Sequence, residues 1–150
     1  MHDVISTITR SDQLLLAASF TCLAAAGTTG SVVETMTPTL AATAVAIAGV
    51  YGVASYATRV SRRTLATLAL GFWVAFLSLT SFHVVGLETV GTAVPGDPAV
   101  YVYLLGALTW GTLLTACAAT TFLGFREYGA TTSADTPEEQ VLESESYDTR

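Results

Sequence analysis

The chain has 150 residues, 51% of them apolar and only 12% charged, with a formal net charge of −6. Soluble domains carry about a quarter charged residues, so this composition excludes an ordinary water-soluble enzyme or binding module. The basic residues are six arginines against twelve acids, and so acidic a chain lacks the basic face that nucleic acid requires.

Charge is confined to particular places. Between Glu34 and Glu127 the charged residues are Arg59, Arg62, Arg63, Glu88, Asp97 and Arg126, each at the edge of an apolar block. A charge at the centre of a bilayer costs roughly 2.5–3.5 kcal/mol on insertion scales. The placement therefore predicts apolar blocks that lie in a membrane.

Residues 1–13 are polar, and Ser11 or Asp12 is suited to cap a helix. The first span is expected over about 14–33, since about 20 residues at about 1.5 Å each cross a hydrocarbon core. Ala24-Ala25-Ala26 after an apolar run resembles a signal-peptide cleavage site. However, Arg10 is offset by Asp3 and Asp12, and the run continues to Val33, so the span is expected to be kept.

Glu34 to Pro38 is a polar turn, with Pro38 suited to the first turn of the next helix. The second span is expected over 39–58, rich in alanine and glycine, with Tyr51 and Tyr56 towards its end as interfacial aromatics. The short basic loop Arg59-Val60-Ser61-Arg62-Arg63 follows. The third span, 64–87, is bulkier, with Phe72, Trp73, Phe76 and Phe82. Gly and Pro between Glu88 and Pro98 mark a connecting turn. The fourth span is expected over 99–125, and residues 126–150 as an acidic, mostly disordered tail. Thr136-Pro137-Glu138-Glu139 offers a local helix start within that tail.

These elements predict an all-α, polytopic membrane protein: four transmembrane helices in an up-down bundle. Four spans put Arg10, Arg59, Arg62, Arg63, Arg126 and Arg150 on one side, and Glu34, Glu88 and Asp97 on the other. By the positive-inside rule the arginine side, with both termini, is cytoplasmic in a cell membrane. Without a hydrophobic force between helices in lipid, small residues are expected at the contacts. The candidate stripes are Ala18, Cys22, Ala26 and Gly30; Ala44, Ala48 and Gly52; and Ala107, Gly111, Thr115 and Ala119. The third span has no such run. Val32-Val33-Glu34-Thr35 resembles Gly86-Leu87-Glu88-Thr89, a weak echo of a duplicated hairpin.

Few residues invite chemistry. His83 lies near the outer end of the third span, where it is expected to reach headgroups or a backbone carbonyl. Grouped with Glu34 and Glu88 it makes a weak outward-facing metal or proton site. Cys22 and Cys117 sit in apolar segments without CxxC or zinc spacing, and are expected as buried small side chains unless they meet between helices. Span threonines and serines are expected to bond the carbonyl four residues back. Arg59, Arg62 and Arg63 are expected to fix topology or touch anionic lipid headgroups. A proton-driven exporter normally needs a mid-membrane carboxylate, and the spans hold none. No serine nucleophile motif, phosphate loop, HExxH or dinucleotide fingerprint is present, and no cofactor is implied.

The expected function is non-catalytic: an accessory or scaffolding subunit packed on other membrane protein subunits. The lipid bilayer is its solvent, and residues 130–150 offer a contact for a basic cytosolic partner. The alternatives are a homo-oligomeric small-solute transporter or channel, and a membrane redox or metal-binding protein using His83 or the cysteines.

Overall fold

A computed structural model of the chain describes residues 10–32, 36–86, 89 and 95–134. Four long helices carry these residues: α1 Arg10–Val32, α2 Met36–Arg59, α3 Arg62–Val85 and α4 Pro98–Ala134. Three of them, α2, α3 and α4, are long and apolar enough to cross a membrane. The protein is thus a helical membrane protein. Helix α1 is as long but more polar: Ser11, Asp12 and Gln13 open it, and Ser19, Thr21, Thr28 and Thr29 lie along it.

Local chemistry sets the helix ends. Ser61 caps α3, its hydroxyl accepting from the Thr64 N–H at 3.2 Å. Gly86 ends that helix at φ +96°, a left-handed value that favours glycine, and its N–H donates to the Phe82 carbonyl at 3.1 Å. Asp97 accepts from the Ala99 N–H at 2.9 Å at the start of α4, just ahead of Pro98 in the first helical position. Pro38 falls in the first turn of α2 as its position predicts. Helix α4 continues nine residues past the expected end at Phe125, through Arg126 and Glu127 to Ala134. Charge there marks a change of surroundings, and no proline interrupts the helix.

The helices do not form an evenly closed square. Helix α4 packs against all three others, α1 packs against α2, and α3 rests mainly on α4. Helices α2 and α3 share a two-residue turn yet scarcely touch along their length. The core is one cluster near that turn: Leu23, Val53, Tyr56, Ala57, Val60, Leu65, Ala69, Ala118 and Ala119.

Glycines allow the closest approaches. A Cβ at Gly52 would collide with the Ser19 hydroxyl, and one at Gly49 would come within 2.7 Å of Leu23. A Cβ at Gly111 would meet Phe20 at 2.8 Å, and one at Gly27 would meet Trp110 at 2.6 Å. The stripe expected in α4 is buried at Gly111, Thr115 and Ala119, while its first member, Ala107, is only half-buried. The register expected in the first hairpin holds at Ala26 and Gly52 but not at its other described positions. Ala18, Ala44 and Ala48 are exposed and Cys22 is half-buried, whereas Ser19, Leu23 and Gly49, outside the expected stripes, are buried. Alanine and serine occur on every face of α1, so the glycines of α2 select which face packs. Aromatic residues of α3 fill gaps, as Phe72 stacks on Phe20 with centroids 5.8 Å apart. The Trp73 indole N–H donates to the Thr120 hydroxyl at 3.1 Å, linking α3 to α4.

Candidate functional site

Two features differ from a plain apolar bundle. The first is the arginine end. Arg59 pairs with Asp12 of α1 at 3.5 Å, and Arg62 pairs with Glu127 of α4 at 3.2 Å. Arg126 Nη1 donates to the Ala57 carbonyl at 2.8 Å and the Val60 carbonyl at 2.9 Å. Those carbonyls lie at the C-terminal end of α2, where the helix dipole favours a cation and orphan acceptors need donors. Successive residues of α4, Arg126 and Glu127, therefore hold the two sides of the α2–α3 turn. Each of the four helices is tied at this end.

The three arginines of the basic loop thus divide. Arg59 and Arg62 are used inside the molecule. Arg63 is exposed, and among the described residues its guanidinium has no hydrogen-bond or ion-pair partner. Asp12, Arg126 and Glu127 were not foreseen as its neighbours' partners. The available signal was that Asp12 and Glu127 are the acids closest to span ends on the arginine side.

The second feature is the opposite end. Among the described residues, α2 has no buried residue before Gly49, α3 none after Ala69 and α4 none before Gly111. Helix α4 shows the change within one face. Leu104, Leu108, Gly111, Thr115 and Ala119 follow helical spacing. Leu104 and Leu108 are 51% and 44% exposed, while Thr115 and Ala119 are 0%. A groove of ≈ 320 Å³ opens where burial stops, lined by Gly27, Thr39, Thr43, Ala46, Trp110 and Leu114 among others. No apolar residue in it announced a site in the sequence.

The residues singled out for chemistry do not converge. His83 is exposed on α3, with Nδ1 3.3 Å from the Leu79 carbonyl four residues back. Glu34 and Glu88 lie outside the described residues. Cys22 is half-buried in α1 and Cys117 exposed in α4, and both are free thiols. Among the described residues, no group of three or more His, Cys, Asp or Glu could hold a metal ion. Span hydroxyls largely bond their own helix, as in Thr21 to Ala17, Ser78 to Val74 and Thr109 to Leu105. Among the described residues, Thr115 is the one whose buried hydroxyl has no partner.

Compared with known protein families, curated proteins and solved structures, the chain matches none.

Proposed function

We propose that this chain is a non-catalytic accessory or scaffolding subunit of a larger membrane assembly. In this reading α1 crosses the bilayer with the other three helices. The arginine end and both termini lie on the cytoplasmic side of a cell membrane. Arg10, Arg59, Arg62, Arg63 and Arg126 at one end, against Asp97 at the other, support that orientation.

One observation carries the functional reading: the α4 face that is buried at Thr115 and Ala119 runs on, unpacked, through Leu108 and Leu104. A transmembrane helix of another subunit fits there, over the groove at Gly27 and Trp110. Van der Waals packing against such a face drives association in lipid. Residues 135–150 lie outside the described part, and their acidic composition suits contact with a basic cytosolic partner.

Purification in mild detergent tests this reading. The expected result is a second membrane protein at fixed stoichiometry, cross-linked by a photoreactive residue at Leu108 but not by one at Tyr51. The one-ended groove also suits the second reading, a homo-oligomeric small-solute transporter or channel. A defined homo-oligomer without another protein would favour that reading and overturn the first.

A further inference from the structure

Arg63 begins a continuous outward face of α3. Arg63, Thr67, Leu70, Val74, Leu77 and Ser81 follow at intervals of three or four residues, and all are exposed. Helix α4 packs on the other side of α3, through Trp73 and Thr120 and through Arg62 and Glu127. The face therefore presents, at one end, a cation with no ion-pair partner among the described residues, and bulky apolar side chains below it. We propose that an anionic phospholipid occupies this face, its headgroup phosphate on Arg63 and an acyl chain along Leu70, Val74 and Leu77.

Charge complementarity decides the occupant. Bidentate contact with a phosphate suits a guanidinium. A second copy of this chain, in the same membrane orientation, would set Arg63 against Arg63 on a shared face and repel. Arg59 and Arg62 carry the same charge, but Asp12 and Glu127 already neutralise them. Arg10 is also exposed, yet its helix continues through Leu14, Ala18 and Thr21 with little bulk for an acyl chain to follow. The inference differs from the subunit reading, which concerns the opposite end, so either can fail alone.

The test uses the full chain in mild detergent, titrated with phosphatidylglycerol and phosphatidylcholine and read by native mass spectrometry as the ratio of bound lipids. One arginine near an anionic surface is equivalent to about a fivefold preference. Wild type should favour phosphatidylglycerol, R63Q should lose about fivefold of that preference, and R63K, which keeps the charge without the bidentate fork, should lose less than R63Q. R59Q should keep it too. Equal preference in wild type and R63Q would overturn the proposal, as would an equal loss in R59Q, which would indicate a diffuse basic surface. With Cys22 and Cys117 replaced by serine, high-yield disulfide dimers through Ser78→Cys in vesicles would place a second copy on this face. That outcome would also overturn it.

Discussion

From the middle of the bundle to its arginine end, Leu23, Val53, Tyr56, Leu65 and Thr115 retain at most 1% of their surface. At the other end Leu40, Val84, Val100 and Leu104 are each more than half exposed. The two ends share one residue vocabulary: alanine, leucine, valine, threonine and glycine. What separates them is cross-linking. The closed end has polar ties between helices, Asp12–Arg59, Arg62–Glu127 and Arg126 to the α2 carbonyls. It also has Gly49 and Gly52 set against Ser19 and Leu23. In a bilayer, apolar side chains alone do not choose helix over lipid. Close approach and polar ties do; here the polar ties lie at the arginine end, and close approach reaches only as far as Gly27 against Trp110.

The largest effect should come from removing the central tie. Arg126→Gln leaves the Ala57 and Val60 carbonyls without a charged donor, and hydrogen bonds to charged groups contribute about 1.5–3 kcal/mol. The expected loss is about 3 kcal/mol, read as a lower midpoint in detergent unfolding. Retained stability would mean that the tie is incidental. Next, Gly52→Val forces a side chain into Ser19 and should cost about 2 kcal/mol by overpacking, whereas the contact-free Gly106 should not behave this way.

Thr115→Val has the opposite sign. It removes a buried hydroxyl without a partner and should stabilise by about 1 kcal/mol. A loss would imply that the hydroxyl finds a partner in the membrane. The smallest effect is expected at the open end. Gly106→Ala meets nothing within 4 Å and should stabilise by about 0.5 kcal/mol through helix propensity. Destabilisation there would show that another helix approaches that surface.

The three long apolar helices were legible because a bilayer imposes length and polarity together. The second and third spans, expected over 39–58 and 64–87, are found as Met36–Arg59 and Arg62–Val85. Helix α4 was read short because Arg126 and Glu127 resemble an end, although charge ends only the apolar part of a helix. The packing register was not legible. Ala17, Ala18 and Ser19 are similarly small, and the choice of Ser19 depends on glycines some 30 residues away. The arginines were visible as a group, but their division into paired and unpaired members needs tertiary structure. Arg126 is adjacent to Glu127 in sequence, yet the two serve opposite sides of a turn that lies more than 60 residues earlier.

The contrast between the ends is open to direct measurement by double electron–electron resonance in lipid nanodiscs. Paired spin labels would replace Thr58 and Tyr128 at the closed end, or Thr43 and Leu104 at the open end, with Cys22 and Cys117 replaced by serine. All four labelled positions are exposed, so the labels need not disturb the core. A bundle tied at one end predicts a narrow α2–α4 distance distribution for the closed pair and a broader one for the open pair. Equally narrow distributions at both ends, or a narrower one at the open end, would contradict it.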